Sequence, residues 1–319
     1  MRDTQGSRVE AVPDSQHGRL VAVVVTYNRK CLVERLMKAL AAGTVIPDEV
    51  IVVDNASTDG TAEALAGPGL PLPVHVLRLP TNTGGAGGFH SGIEVAVQGG
   101  AELIWLMDDD GMPDRHCLER LLPRLHDHEF VGPVVVAEDT PERLCFPIRL
   151  PGSARVLHRI DEVRAAAVDG LVTDVLIPFN GVLITRGLVE RIGTPRAEFF
   201  IWGDDVEYLW RARRAGATVA TVGDALFRHP ATDDLGSPML FGLSTYNHTA
   251  SDLKHYCMCR NNVVNLRDYR SWAHVLLFMA KTVWFYTLTR PQPRRLVLSA
   301  RGVLAGLRND FGGHLRYLR

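Results

Sequence analysis

The stretch that most constrains how this chain can fold is residues 103–110, which read L-I-W-L-M-D-D-D. An unbroken apolar run of this length predicts a buried strand. Three aspartates follow it without a spacer, at the point where the strand runs out. Adjacent carboxylates repel one another, and each loses hydration if it sits in a cleft. A cation relieves both costs. Asp108 and Asp110 alternate along the chain, so both can reach one hard divalent ion. Mg²⁺ and Mn²⁺ accept one or two carboxylates together with phosphate oxygens. The plainer alternative is a solvated acidic turn that caps the following helix.

The amino-terminal half repeats the same grammar. Residues 20–25, L-V-A-V-V-V, predict a strand buried on both faces, ending in T-Y-N-R. Residues 29–42 carry apolar side chains at helical spacing and stop at Gly43. A second strand at 50–53 ends in D-N-A-S-T-D-G-T, with a short helix from Thr61. A third strand at 74–79 ends in N-T-G-G-A-G-G, and 91–97 is expected to be helical. Strand and helix in alternation predict a parallel α/β sheet with crossover helices. In such sheets ligands bind beyond the carboxyl ends of the strands, and here every carboxyl end is polar. The glycine run is either a flexible loop or a place where backbone amides approach a phosphate or sugar closely. It is neither a Walker A loop, since no G-K-[ST] follows, nor the dinucleotide fingerprint, since it follows the third strand.

Beyond the acidic triplet, a helix is expected at 114–125 and a strand at 131–136. A hairpin-rich insertion is expected at 138–172, a turn and strand at 174–185, a short helix at 188–192 and a strand at 218–222. A second acidic constellation, F-F-I-W-G-D-D-V-E, opens a helix that runs to Ala215. One aspartate suffices to cap a helix. The other is free for chemistry, and a carboxylate beside an aromatic ring has its pKa raised toward that of a general base. His229, before a proline, is either a structural histidine or a third metal ligand beside Asp108 and Asp110.

Bulk properties exclude little but are consistent. Hydrophobic residues make up 46% and charged residues 22%, enough to bury a core. A formal net charge of -1 argues against a nucleic-acid partner. Five scattered cysteines form neither a disulfide framework nor a zinc pattern, and fit reduced cytosolic thiols. Residues 1–17 are polar and read as a disordered lead. No apolar run of transmembrane length occurs. The expected organisation is a catalytic α/β unit at 18–250 followed by a helical, basic region at 251–319. In that last region, 274–289 is strongly apolar. From Arg290 to Arg319 there are seven arginines and a single acid, Asp310. This is either an interfacial anchor on an anionic membrane surface or a core helix with a basic solvated face.

Taken together, V-V-V-T-Y-N-R, V-D-N-A-S-T-D-G-T, N-T-G-G-A-G-G-F, D-D-D and W-G-D-D-V-E resemble the family 2 glycosyltransferases with the GT-A fold, over roughly residues 20 to 230. R-L-C-F-P-I-R, F-N-G-V-L, H-P and R-N add a similarity to the actinobacterial galactofuranosyltransferases that begin the cell-wall galactan. Rhamnosyltransferases share most of these motifs. The resemblance implies a Rossmann-like, mostly parallel sheet flanked by helices. It places Thr26, Tyr27, Arg29, Asp54, Asn82, Gly84, Gly85, Asp108 and Asp109 along a nucleotide-sugar. Mn²⁺ or Mg²⁺ would be held by Asp108, Asp110 and His229. Asp205 would be the base, with Trp202 and Asp204 on the acceptor side, although adjacent aspartates can exchange these roles. The expected reaction is inverting transfer of galactofuranose from UDP-galactofuranose to a polyprenyl-diphosphate-linked glycan, at the inner face of the plasma membrane, by a monomer or homo-oligomer. The rivals are a dTDP-sugar rhamnosyltransferase, a nucleotidyltransferase, and a nucleotide-sugar-binding module without catalysis.

Overall fold

The structure is a computed structural model that describes residues 18–67, 69–231 and 236–318. The lead at 1–17, expected to be disordered, lies outside the described residues. The main sheet has eleven strands among the described residues, and seven of them build its body: β1 (Leu20–Thr26), β2 (Glu49–Asp54), β3 (Val74–Arg78), β4 (Leu103–Asp108), β5 (Phe130–Ala137), β6 (Asn180–Thr185) and β7 (Val219–His229). Their spatial order is β3-β2-β1-β4-β6-β5-β7. The first four are mutually parallel, β6 runs antiparallel between β4 and β5, and β7 is parallel to β5. The chain goes outward from β1 through β2 to β3, then returns to place β4 on the other side of β1. That reversal opens a crevice between the carboxyl ends of β1 and β4, where such sheets bind ligands.

Alternation along β1 explains the three layers. Leu20, Ala22 and Val24 face α1 (Lys30–Ala41), packing with Val33, Leu36, Met37 and Leu40. Val21, Val23 and Val25 face the opposite side. There they meet Phe89, Ile93 and Ala96 of α2 (Gly84–Gln98), in a cluster that also takes Tyr208, Leu209 and Ala212 of α3 (Asp204–Arg214). A strand covered on both faces needs apolar residues at every position.

Four local expectations change. The helix expected at 91–97 begins at Gly84, so the glycine run lies inside α2 rather than in a loop before it. The helix expected at 114–125 is a short α-turn, Cys117–Leu121, that tightens into a 3₁₀ turn, Leu122–His126. Pro123 has no N–H to continue an α-helical ladder. The strand expected to stop at 222 continues through a bulge to His229. Finally, the apolar segment 274–289 is a helix, Trp272–Trp284, followed by a π-turn, Phe285–Thr289. The insertion at 138–172 does contain an antiparallel pair, Arg143–Arg149 with Val156–Arg159.

The carboxyl-terminal region consists of α4 (Asp252–Tyr269), α5 (Trp272–Trp284) and α6 (Pro293–Arg308). α4 is buried along most of its length, and α6 lies directly on it. The contact is close because a Cβ at Gly302 would stand 2.8 Å from the Tyr256 carbonyl oxygen, and one at Gly306 2.5 Å from that of Arg260. α5 is different. Val275 and Thr282 are its buried residues, whereas Trp272, Leu276, Leu277, Val283 and Trp284 point to solvent.

Candidate active site

The crevice between β1 and β4 is laced by the polar strand ends. The Thr26 hydroxyl donates to Asp109 Oδ2 at 2.6 Å. One Arg29 nitrogen, NH1, reaches both Asp109 Oδ1 at 2.8 Å and Asp110 Oδ2 at 2.7 Å. Asp109 is therefore buried with both oxygens engaged by β1 and the turn after it. Next door, the Asn28 amide donates to Ser57 Oγ, and Asn28 Oδ1 accepts from the Thr58 amide. Asp54 is fully buried at the end of β2. Its Oδ1 takes the Ser57 amide, while Oδ2 has no hydrogen bond among the described residues. The Arg78 guanidinium faces that oxygen as an ion pair at 3.8 Å, too far for a hydrogen bond. Tyr27 is exposed at the rim.

The acidic triplet divides its labour. Asp109 turns inward as above. Asp110 approaches His229, with Oδ1 at 3.3 Å from Nε2. That oxygen is buried and receives no well-aligned hydrogen bond among the described residues. His229 Nδ1 lies 2.8 Å from the Pro230 carbonyl oxygen, which can only accept, so Nδ1 carries the proton and Nε2 faces Asp110. Cys145, 3.5 Å from Nδ1, and the Phe146 ring, edge-on at 5.2 Å, wall the imidazole in; this is the place of the R-L-C-F-P-I-R motif. Burial opposes charge on His229, but Asp110 overrides it and pushes the pKa up to about 10. Burial would raise Asp110, yet His229 and Arg29 pull it down to about 2. Asp108 is pushed well above the usual carboxylate range by burial, then by Asp110 and Asp109, with Asp204 adding to the push and His229 opposing it.

These residues fit a divalent ion of the Mg²⁺ or Mn²⁺ type in one specific sense. Among the described residues no three side chains of the metal-ligating kind converge into a closed cage. Such ions do not need one, because they keep waters and take substrate phosphates alongside one or two carboxylates. Asp110 Oδ1 and His229 Nε2, which now face each other at 3.3 Å, are donor atoms of the right type for such an ion. The positive charge now on His229 would leave with its proton when a cation arrives.

The second constellation faces the first. Asp204 is buried at the start of α3; burial first, then Asp205, push its pKa up to about 8. Asp205 is also raised by burial, against a 2.7 Å hydrogen bond from the Val206 amide. Asp204 is near enough to Asp108 for its charge to add to the upward push on that carboxyl. Glu207 of the same motif is structural: it accepts from Arg211 and from the Tyr269 hydroxyl at 2.6 Å, tying α3 to α4.

The glycine run does something the sequence reading did not anticipate. A Cβ at Gly88 would stand 2.5 Å from Val25 Cγ1, and one at Gly92 2.4 Å from Val23 Cγ1, so these glycines let α2 lie directly on β1. Gly84 has a positive φ of 72° and sits so close to the Phe200 carbonyl that no side chain fits. A Cβ at Gly85 would meet open space, which leaves it on the side where a ligand can approach. Asn82 caps this helix by accepting from the Gly84 amide at 2.8 Å. Asn55, which sequence reasoning passed over, joins β2 to α2 through Thr83 and the Gly84 carbonyl. Gly111 and Gly181 both close on the Phe227 ring, which is how D-D-D-G and F-N-G meet the strand that carries His229.

A three-layer sheet of this order, with an acidic strand end and a second acid pair across its switch point, is that of a GT-A glycosyltransferase. Residues 21–186 match Glycosyl transferase family 2, and the chain belongs to that family. It is 33% identical over 294 residues to galactofuranosyltransferase GlfT1 of Mycobacterium tuberculosis, covering 91% of this chain and 96% of that one. It is also 31% identical over 214 residues to an undecaprenyl-phosphate mannosyltransferase of Micrococcus luteus, covering 64% of this chain and 82% of the other. Among solved structures, the mannosyltransferase PcManGT of Pyrobaculum calidifontis, in complex with GDP-Man and Mn²⁺, aligns with a TM-score of 0.54 at 20% identity, covering 94% of this chain and 78% of that one. At that identity the likeness speaks for the fold.

Proposed function

We propose that this glycosyltransferase moves galactofuranose from UDP-galactofuranose to a hydroxyl of a polyprenyl-diphosphate-linked glycan in cell-wall polysaccharide synthesis, with inversion. The observation that carries the reading is the acidic strand end at the switch point of the sheet, where Asp110 Oδ1 lies 3.3 Å from His229 Nε2 and Asp109 is held by Thr26 and Arg29. Similarity to a galactofuranosyltransferase across nine-tenths of the chain supports the donor. The name of the Micrococcus relative supports a polyprenyl carrier on the acceptor.

In this reading Thr26, Tyr27, Arg29, Asp54, Asn82, Gly84, Gly85, Asp108 and Asp109 line the nucleotide-sugar. Some act directly, and others, such as Asp109, by holding Thr26 and Arg29 in place. Asp108, Asp110 and His229 would hold Mn²⁺ or Mg²⁺ in an open site completed by water and substrate phosphate, and the ion would supply Lewis-acid stabilisation of the departing diphosphate. Arg29, half exposed at the cleft, offers a second positive charge. Asp205 accepts the proton of the acceptor hydroxyl, oriented by Trp202 and Asp204. The hydroxyl oxygen attacks the anomeric carbon opposite the diphosphate; the new C–O bond forms as the old one breaks, and UDP leaves. One displacement inverts configuration.

The same proposal places the protein at the inner face of the plasma membrane, as a peripheral protein. No helix among the described residues is long and apolar enough to cross a membrane. α5 exposes two tryptophans and three branched aliphatics, and the hairpin turn that packs beside it exposes Phe241 and Leu243. From Arg270 to Asn309 the chain has seven cations and no acid. Apolar faces bordered by arginine suit an anionic interface.

The direct test is thermal stabilisation by nucleotide-sugars with Mn²⁺ and with EDTA, followed by analysis of the product. A metal-dependent shift with UDP-galactofuranose, UDP release on adding the lipid-linked glycan, and an inverted anomeric centre are expected. A shift confined to dTDP-sugars would make it a rhamnosyltransferase. Binding of UDP-galactofuranose without UDP release would leave a binding module.

A further inference from the structure

The acid pair follows a turn whose backbone is strained, although local bonds such as Ile201 N–H to Phe199 O at 2.7 Å run within it. Phe200 and Trp202, two bulky aromatics, have φ of 65° and 74°, and Gly203 has 84°. Positive φ at a non-glycine residue persists only where the surroundings enforce it. The surroundings here are one face of α4. Arg260 is fully buried, yet no carboxylate pairs with it among the hydrogen bonds and ion pairs described. Its donors go instead to backbone carbonyls and a neutral amide: Phe199 O at 2.7 Å, Glu198 O at 3.3 Å, Phe311 O at 2.9 Å and Asn261 Oδ1 at 2.8 Å, with His314 beside it donating its Nδ1 proton to the same Phe311 O at 2.7 Å. The Asn261 amide reaches three carbonyls of the turn, those of Phe199, Ile201 and Trp202, at 2.7 to 3.1 Å. Asn265, one helical turn further, donates to Gly203 O at 2.8 Å. The remaining carbonyl, that of Phe200, points the other way and accepts from the Ala86 amide at the start of α2.

We propose that Arg260, Asn261 and Asn265 are positioning residues that clamp the 199–203 turn, setting Asp204 and Asp205 across the cleft from Asp108 and, through Phe200, fixing the glycine end of α2. The proposal rests on the reading of Asp204 and Asp205 as the chemical centre. Five consecutive carbonyls are assigned, four to α4 and one to α2, so the turn cannot shift without leaving buried polar groups unpaired. The clamp also includes the far end of the chain, since the Phe311 carbonyl accepts from both Arg260 and His314. α4 thus couples the carboxyl-terminal region to the catalytic cleft, which a basic membrane-facing appendage would not do.

The test compares Asn261→Ala and Asn265→Ala with Arg267→Ala on the same helix, whose guanidinium bonds to Asp268, Asn309 and the Gly306 carbonyl rather than to the turn. Two readouts are taken on the full chain. The first is kcat and KM for UDP-galactofuranose with Mn²⁺ and a polyprenyl-diphosphate-linked glycan. The clamp predicts kcat down by about 10²-fold, because misplacement of about 1 Å costs that much. Donor KM should stay within about twofold, and Arg267→Ala should keep its kcat. Full kcat in both asparagine variants overturns the proposal, as does a loss that merely follows the lowering of Tm in all three. The second readout is hydrogen exchange of the 199–206 amides, which needs no turnover. Faster exchange confined to the asparagine variants supports the clamp, and unchanged protection overturns it even if the donor has been misidentified. A wild type that releases no UDP defeats the donor assignment alone.

Discussion

Asp204 and Asp205 are neighbours in sequence but not in environment, and the difference gives two tests. Asp205→Asn removes the proposed base and keeps its size, so transfer should fall by about 10²–10⁴-fold while UDP-galactofuranose still stabilises the protein. Unimpaired transfer would move the base to Asp204. Asp204 is tested through stability. Its folded pKa, about 8, lies above the unfolded value, so the folded state binds the extra proton between those pH values. Stability from this group is present below pH about 4 and is lost as pH rises toward 8. Asp204→Asn mimics the neutral acid and should raise Tm at pH 8 but not at pH 4; equal shifts at both would show that Asp204 does not titrate in this window. At the proposed metal site, Asp110→Ala should abolish the Mn²⁺ dependence of donor binding, read by calorimetry with UDP. The same UDP affinity with and without Mn²⁺ in wild type would remove the metal role. Carboxylates of this kind were legible from sequence because charge beside an apolar run has few purposes. Arg260 and Asn261 stood out only as the R-N pair of the resemblance, with no role attached, and Asn265 had no signal, since a helix with polar residues on its buried side reads as an ordinary solvated one.

Among the elements, α2 shows how a correct motif can carry a partly wrong reason. Glycines beside a predicted nucleotide cleft invite a phosphate-binding interpretation, yet Gly88 and Gly92 exist to let a helix touch β1. The two uses separate by substitution. Gly92→Ala gains helix propensity, about 0.5–1 kcal/mol, but forces a methyl into Val23 and Val53, and overpacking costs about 1–3 kcal/mol. The net change measured in urea should be destabilising, with donor affinity unchanged in the folded protein. Gly85→Ala meets no neighbour, so it should stabilise by up to about 1 kcal/mol and weaken donor binding. If Gly92→Ala stabilises, the packing account is wrong. Helix and strand spacing identified β1, α1, β2 and β4 directly. They missed the early start of α2 and the length of β7, because a glycine-rich helix start and a bulged strand both lack a period, and tertiary contacts alone stabilise them.

For the whole molecule, the sequence left the carboxyl-terminal region between a core helix and an interfacial anchor, and the structure gives each part its own role. α4 is the core helix, and α5 turns its apolar face outward. Replacing Leu276 and Leu277 with serine should therefore reduce flotation with anionic liposomes while leaving UDP binding and Tm largely intact; unchanged flotation would leave that face to another contact. Deleting residues 290–319 is not an equivalent experiment, since it would also strip Phe311 and His314 from Arg260. The sequence by itself determined the α/β/α architecture, the acidic strand end and the family, because uninterrupted apolar strands must be covered on both faces and their polar carboxyl ends must collect in one crevice. Only the tertiary structure decided that Asp109 turns inward while Asp110 turns to His229, that glycines of α2 serve packing, and that a helix some 55 residues beyond the acid pair holds it in place. These depend on which backbone carbonyls and side chains meet across the fold, and no local pattern of charge or hydrophobicity encodes a contact between segments so far apart in the chain.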